Sequence, residues 1–287
     1  MKNFKIDFLV IGVQKSGTSW LYNCLKEHPE IGVPLKKREV EYIGGPLYRE
    51  HGGMDWFRGL FNHLPDSNNL KYGDVSVEYI FDAGSAYEVK KYFPNCKIIL
   101  ILRNPIDRFL SSLEWNKRRG QLKDENDHGV LEALKKGNSE VIENISNRGF
   151  YAEQVSFYYE SFPKENIFIA DFEKIKESPS EVIKSIFSFL SVDPDFLPKS
   201  ISSKPKKNSN NRLLIKLENR LSRNKYTEKV LDHLHQLLPT RKRKTSSHLT
   251  EYLKELYEPH NEILKKFFLD KKQDKLVEMV ESWKNEY

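Results

Sequence analysis

The chain has 287 residues, of which 38% are hydrophobic and 31% are charged, and its formal net charge is +6. This composition is typical of a soluble globular protein and excludes collagen-like, low-complexity and wholly disordered chains. The longest apolar runs, 8–13 and 98–102, are far shorter than the roughly 20 residues that span a bilayer, so we predict no transmembrane segment.

Apolar runs and helical periodicity alternate over the first 190 residues. Strands are predicted at 4–13, 72–77, 97–102 and 167–170, with a short extended piece at 31–34. A first helix is capped by Thr18 or Ser19 and stops at His28-Pro29. Further helices are predicted at 54–61, 85–93, 105–113, 141–162 (with Gly149 inside it or at a break) and 180–190. This alternation predicts an α/β fold with a central parallel sheet flanked by helices in three layers.

The last third of the chain is predicted to be helical and basic. Residues 199–248 contain 14 Lys or Arg and 3 Asp or Glu, a local charge of +11 that leaves −5 for the rest. Such a distribution indicates either an anionic partner or a solvated helical face. Polar loops are expected at 200–212 and 240–248, and helices at 212–238 and 248–283. Because no linker separates these parts, we predict one domain over 1–287, with an α/β core at 1–198 and a helical extension at 199–287 packed on it.

A glycine-bounded loop, Gly12-Val13-Gln14-Lys15-Ser16-Gly17-Thr18-Ser19, joins the first strand to the first helix. Its glycines permit tight turns, so that successive backbone N–H groups and the helix N-terminus can face one anion. The two glycines have P-loop spacing, but Thr18 stands where a nucleotide triphosphatase has lysine, and the lysine lies inside the loop at Lys15. The pattern therefore predicts either a phosphate site in a P-loop-like fold or an ordinary turn.

A second candidate feature follows the buried run KIILIL. Arg103 stands at the end of this run and Ser111 lies eight residues later, on the next helix. An arginine at the carboxyl end of a parallel strand lies on the ligand side of an α/β sheet and is suited to bidentate phosphate binding. Alternatively, Arg103 pairs with Asp107 and the Ser111 hydroxyl bonds to the helix backbone.

Taken together, these segments resemble the sulfotransferases that use 3′-phosphoadenosine 5′-phosphosulfate (PAPS). The resemblance rests on QKSGTSWL, on LRNPIDRFLSS, and on RGFYAEQVSFYYESFP followed by IFIADFEKI. It is greatest for the carbohydrate enzymes of the heparan sulfate type and their bacterial relatives, and His28-Pro29, REVEYI and GGMDWF match as well. It covers residues 4–190 well and the basic third loosely. GDVSVEYI departs from the family, because Val75 and Val77 stand where several relatives have lysine and proline, and Tyr42-Ile43 keeps one of two aromatics.

The resemblance implies a donor site and a reaction. The donor would be held by Gln14, Lys15, Ser16, Gly17, Thr18 and Ser19 at the 5′-phosphate, by Arg103 and Ser111 at the 3′-phosphate, and by Tyr151, Lys207, Asn208 and Arg212. The reaction would be in-line transfer of the sulfuryl group to a hydroxyl or amine of a saccharide or glycolipid, with Lys15 as a catalytic residue. We expect no metal ion, because the chain has no HExxH or CxxC motif.

The proton acceptor in this reaction is Glu39 by the resemblance, in the segment REVEYI. Glu41 is the next carboxylate and faces the same way if the segment is extended. His51 competes with both, because imidazole has an intrinsic pKa suited to a base near neutrality. Glu39 has a structural alternative as well, an ion pair with a neighbouring lysine or arginine.

Two functions of other classes are weighed against this one. A nucleotide kinase or NTPase predicts a lysine at position 18 and a carboxylate for magnesium. A non-enzymatic polyanion-binding protein would use the basic loops, but it leaves the pairing of the loop with Arg103 and Ser111 unexplained. The cluster at 204–207 lies where relatives bring a loop back to the nucleotide, whereas Arg241–Lys244 has no counterpart and is interpreted as a solvated loop. We expect no nucleic-acid partner, and the basic surface allows peripheral membrane contact.

The two cysteines and the amino-terminal segment point to a cytoplasmic location. Cys24 and Cys96 are too few for a disulfide scaffold, and we interpret them as buried thiols in a reducing compartment. The first 13 residues resemble a signal peptide, because two lysines precede an apolar run. Asp7 interrupts that run, however, and QKSGTSW follows where a cleavage site would stand. We therefore expect a soluble protein without a signal peptide.

Overall fold

The computed structural model describes residues 5–35, 42–65, 67, 69–122, 126–202 and 245–286. Within these residues, five parallel strands form one sheet in the order β2-β3-β1-β4-β5. The strands are β1 (Phe8–Gly12), β2 (Ile31–Gly32), β3 (Lys71–Val75), β4 (Lys97–Leu102) and β5 (Ile167–Asp171). The parallel sheet confirms the α/β fold class predicted from the sequence.

The helices lie between and after these strands. They are α1 (Thr18–Glu27), α2 (Pro46–Glu50), α3 (Met54–Gly59), α4 (Ala83–Tyr92), α5 (Pro105–Arg118), α6 (Asp127–Lys136), α7 (Glu140–Asn147), α8 (Tyr151–Ser161), α9 (Phe172–Glu177), α10 (Pro179–Leu190), α11 (Ser247–Asp270) and α12 (Asp274–Ser282). Pro105 stands in the first turn of α5, after the N-cap Asn104, whose side chain accepts a hydrogen bond from Ile106 N at 3.0 Å. This is the position in which proline favours a helix, as the sequence predicted.

The sheet is covered on both faces, which produces three layers. Successive side chains of a strand point to opposite faces, so Leu9 and Ile11 join one apolar cluster while Phe8 and Val10 join the other. The first cluster contains side chains of α4, α8, α11 and α12. The second contains side chains of α1 and α10. Burial on both faces explains why β1 and β4 are continuous apolar runs rather than alternating ones.

The helices after residue 245 pack on this core. Leu264 and Phe268 of α11 are buried in the first cluster, and Leu249 and Leu253 lie in a third cluster with α5, α6 and α7. The predicted pair of C-terminal helices is therefore confirmed. The predicted helix at 212–238 lies outside the described residues, and the assignment of residues 1–287 to one domain stays a prediction. Among the described residues, no helix combines the length and apolarity that a membrane crossing requires.

The segment predicted as a helix at 141–162, with Gly149 inside it or at a break, is two helices, α7 and α8, and Gly149 lies at the break between them. Tyr257 of α11 causes the break. A Cβ on Gly149 would lie 2.5 Å from Tyr257 Cε1, and the Tyr257 hydroxyl donates to Ser146 O at 3.0 Å. The backbone there turns through bonds of three-residue spacing, from Gly149 N to Ser146 O and from Phe150 N to Asn147 O. A side chain that arrives from another helix therefore sets where α7 ends.

Other local differences are smaller. The helices α2, α6 and α9 were not predicted, and β1 begins at Phe8 rather than at residue 4. Both cysteines are free and buried, as the sequence predicted. Burial raises the pKa of the Cys24 thiol to about 12 and raises that of Cys96 as well, so both remain protonated at neutral pH.

Candidate active site

The loop between β1 and α1 lies at the carboxyl edge of the sheet, beside the end of β4. Val13 N donates to Ile101 O at 3.0 Å, and the buried Ser16 hydroxyl donates to Val13 O at 2.6 Å. Because its hydroxyl is engaged inside the loop, Ser16 can offer a ligand only its backbone. The adjoining Lys15 and Gly17 have φ angles of 72° and 87°, both in the left-handed region.

No described side chain caps the amino terminus of α1. The residue at the N-cap is Gly17, so the prediction that Thr18 or Ser19 caps this helix is wrong. Glycine takes the left-handed conformation at low cost and has no side chain to occupy the first helical amides. Thr18 is buried and Ser19 is exposed. Unoccupied amides at a helix N-terminus, together with the helix dipole, favour a bound phosphate or sulfate.

Arg103 is fixed against this loop by three contacts. Its Nη1 donates to Lys15 O at 2.9 Å, its Nη2 lies 3.8 Å from Asp107 Oδ2, and its guanidinium stacks 4.6 Å from the centroid of the Phe172 ring. The pairing with Asp107 that the sequence offered as an alternative is thus present, but at the long limit of an ion pair. Arg103 Nε is buried and has no hydrogen-bond partner among the described residues. Of the five guanidinium N–H groups, only one donates a hydrogen bond within the described part of the chain, which leaves donors for a ligand.

One face of α5 is turned toward the loop. Asp107, Ser111 and Trp115 follow one another at four-residue spacing and so share a side of the helix. At one end Asp107 contacts Arg103, and at the other the Lys15 Nζ lies 5.8 Å from the centroid of the Trp115 ring. The half-buried Ser111 is one helical turn from each. The structure therefore brings Lys15, Arg103 and Ser111 to one region. The role of Ser111 there stays a prediction.

Sequence reasoning missed two side chains that shape the site. The buried Ser112 hydroxyl donates to Gln14 Oε1 at 3.0 Å, which ties α5 to the loop a second time. Phe172, the residue after β5, lies under Arg103 and close to Gly17. The signals were a serine pair at 111–112, of which only the first was assigned, and an aromatic at the carboxyl end of a predicted strand.

Tyr151 supports the end of β4. It is the first residue of α8, it is buried, and its hydroxyl donates to Arg103 O at 3.0 Å. Burial raises the pKa of this phenol, so Tyr151 is a neutral donor at physiological pH. The backbone and the side chain of Arg103 are thus both held, and a direct contact of Tyr151 with a ligand stays a prediction.

The remaining predicted site residues are not brought into this geometry. Like the basic cluster Arg241–Lys244, five of them lie outside the described residues: Glu39, Glu41, Lys207, Asn208 and Arg212. His51 follows α2, is exposed, and stacks on Trp56 with ring centroids 5.2 Å apart. The choice among Glu39, Glu41 and His51 as the base therefore stays a prediction.

Gly17→Ala is expected to destabilise the protein more than Gly120→Ala. Both glycines have positive φ, 87° and 70°, so an alanine carries a conformational cost of about 1–3 kcal/mol at either position. A Cβ at Gly17 would also lie 3.2 Å from Phe172 Cε2, whereas no atom of the described residues lies within 4 Å of a Cβ at Gly120. Chemical denaturation of the two variants measures the difference, expected at about 1 kcal/mol. Equal losses would show that Phe172 moves aside without cost.

Comparisons with known proteins agree with this fold. The profile of the sulfotransferase domain matches residues 5–256. A bifunctional heparan sulfate N-deacetylase/N-sulfotransferase of Drosophila melanogaster is 26% identical over 208 residues, which are 65% of this chain and 20% of that protein. The chain thus spans about a fifth of the length of such relatives.

Two solved structures share the fold. A sulfotransferase from Alicyclobacillus acidocaldarius superimposes with a TM-score of 0.67 at 22% identity, covering 92% of this chain and 96% of that chain. The mouse sulfotransferase SULT7A1 complexed with PAP gives a TM-score of 0.51 at 16% identity, covering 98% of this chain and 89% of that one. These similarities support the P-loop-like, three-layer architecture.

Proposed function

The chain belongs to the sulfotransferase domain family, and from that premise we propose that it transfers the sulfuryl group of PAPS to a hydroxyl or amine of a saccharide or glycolipid. The observation that carries the proposal is the hydrogen bond from Arg103 to Lys15 O, because it joins two anion-binding features at one edge of the sheet. The relatives named for heparan sulfate N-sulfotransfer support a saccharide acceptor. The PAP complex of the mouse enzyme supports a bisphosphate nucleotide as the donor product.

The residues present fit a nucleotide with two separated phosphate groups. The loop amides and the open N-terminus of α1 suit the 5′-phosphate, because such groups bind oxyanions without a counter-ion. The partly exposed guanidinium of Arg103 suits the second phosphate, since guanidinium groups bind phosphates through charge-assisted bonds. Ser111 would add a hydroxyl donor from the same face of α5.

The proposed reaction is an in-line displacement at sulfur. The bond between sulfur and the bridging oxygen breaks as the acceptor oxygen or nitrogen bonds to the sulfur, and the electron pair of the broken bond stays on the nucleotide phosphate. Lys15 would stabilise the negative charge that develops there. The acceptor loses its proton to Glu39, which is assigned as the base from the motif REVEYI.

Binding of the product nucleotide tests the donor assignment. We expect 3′,5′-bisphosphoadenosine to bind at least tenfold more tightly than adenosine 5′-phosphate, about 1.4 kcal/mol, because the second phosphate gains charge-assisted bonds to Arg103. Isothermal titration calorimetry measures both affinities. Arg103→Ala is expected to abolish the preference, and a preference that survives this change would remove Arg103 from the 3′-phosphate site.

A further inference from the structure

Two side chains of the β4–α5 corner (residues 103–112) hold two successive residues of the phosphate loop. Arg103 Nη1 donates to Lys15 O at 2.9 Å, and Ser112 Oγ donates to Gln14 Oε1 at 3.0 Å. Ser112 is fully buried, and the Arg103 side chain is only 17% exposed. These bonds therefore form away from bulk water, where a lost hydrogen bond is not replaced cheaply.

Lys15 needs such support because its backbone is in an unfavourable conformation. Its φ is 72°, in the left-handed region that residues with a Cβ seldom adopt. Conformations of this kind persist only where surrounding contacts determine them. The Arg103 bond ends on the carbonyl of this same residue, so it fixes the peptide plane that follows the strained φ.

Arg103 is itself held in place by contacts outside the loop, so it can fix the position of Lys15. Its guanidinium stacks on Phe172, and its own carbonyl accepts the Tyr151 hydroxyl at 3.0 Å. Phe172 also leaves little room for a side chain at position 17, since a Cβ on Gly17 would lie 3.2 Å from the Phe172 ring. The Phe172 ring thus lies beside both the Arg103 guanidinium and Gly17 of the phosphate loop. A phosphate bound at the Arg103 guanidinium would restrain the same group that holds Lys15 O.

We propose that Arg103 and Ser112 are positioning residues for the phosphate loop, and that occupancy of the second phosphate site is coupled through Arg103 to the placement of Lys15. Arg103 then has two roles, a contact with the ligand and a clamp on the loop. The clamp is a property of the protein without ligand, whereas the coupling rests on the proposed function.

A ligand that lacks the second phosphate separates the two roles. Adenosine 5′-phosphate cannot make the 3′-phosphate contact, so Arg103→Ala weakens its binding only through the loop, by an expected fivefold or so. Ser112→Ala is expected to weaken adenosine 5′-phosphate and 3′,5′-bisphosphoadenosine by similar factors. Ser111→Ala, on the same helix, is the matched control and is expected to weaken only the bisphosphate. Calorimetry on the full chain gives all the affinities.

Hydrogen exchange of the loop amides tests the clamp without any nucleotide. We expect amides of residues 14–19 to exchange about fivefold faster in Arg103→Ala and Ser112→Ala than in the wild type, with circular dichroism showing an unchanged fold. Arg103→Lys keeps the charge and removes the forked donor, and an intermediate rate is expected if alanine at this position does not fold. If these amides exchange at the wild-type rate in a folded Arg103→Ala or Arg103→Lys variant, Arg103 does not clamp the loop. A wild-type protein that binds neither nucleotide would overturn the proposed donor site instead, and the exchange rates would still decide the clamp.

Discussion

Lys15→Ala is expected to lower kcat by about 10²-fold or more while the protein stays folded. The lysine lies in a turn at the carboxyl edge of the sheet, half-buried, with its ammonium 5.8 Å from the centroid of the Trp115 ring. In the proposed reaction, negative charge develops on the leaving phosphate, and a preorganised cation at that point stabilises the transition state more than the ground state. Steady-state kinetics with PAPS measure the effect.

The split between kcat and KM identifies what Lys15 does. A loss confined to kcat shows a contact made in the transition state, whereas a variant that only raises KM shows that Lys15 binds the donor without aiding the chemistry. Lys136→Ala is a suitable control, since Lys136 is exposed and forms an ion pair with Glu132 of the same helix, α6. That variant should retain the wild-type kcat.

Glu39→Gln is expected to lower kcat by roughly 10²–10⁴-fold, because glutamine preserves the shape of the side chain and cannot accept the proton of the acceptor. The same variant should bind 3′,5′-bisphosphoadenosine with wild-type affinity, since the base in the proposed reaction would contact the acceptor and not the phosphates. Calorimetry and steady-state kinetics on one preparation provide both results.

The neighbouring candidates serve as controls for this assignment. Glu41→Gln removes a carboxylate two residues away, and His51→Ala removes the exposed imidazole that stacks on Trp56. We expect both to keep most of the turnover. If Glu39→Gln keeps near-normal turnover while His51→Ala loses it, the base assignment is wrong, and the likeness to the heparan sulfate-type enzymes weakens with it.

The fold was predictable where the sequence carries strong, local signals. The run KIILIL predicted β4 at 97–102 with both ends correct, because a strand buried on both faces is a nearly continuous run of apolar residues, here 98–102. Pro105 predicted the start of α5, since a proline favours the first turn of a helix. The glycines around Lys15 predicted a tight loop after β1, and the loop has the left-handed residues that this requires.

The parts that the sequence did not determine depend on distant contacts. The break between α7 and α8 is made by Tyr257, more than a hundred residues away, which packs against Gly149 and takes the carbonyl of Ser146. The bond from Ser112 to Gln14, which the sequence did not predict, depends on how α5 is rotated against the loop. No local pattern encodes such a rotation, because the helix period allows either Ser111 or Ser112 to face the loop edge.

Transfer of labelled sulfate from PAPS tests whether the protein is a sulfotransferase that acts on saccharides. The purified protein is incubated with labelled PAPS and a panel of glycans, aminoglycans and glycolipids, and the products are analysed by mass spectrometry. We expect 3′,5′-bisphosphoadenosine to be released in equal amount to a sulfated saccharide product, and both to be lost in Lys15→Ala. Magnesium-dependent hydrolysis of ATP, with no binding of bisphosphoadenosine and no sulfated product, would contradict this expectation and would favour a nucleotide triphosphatase.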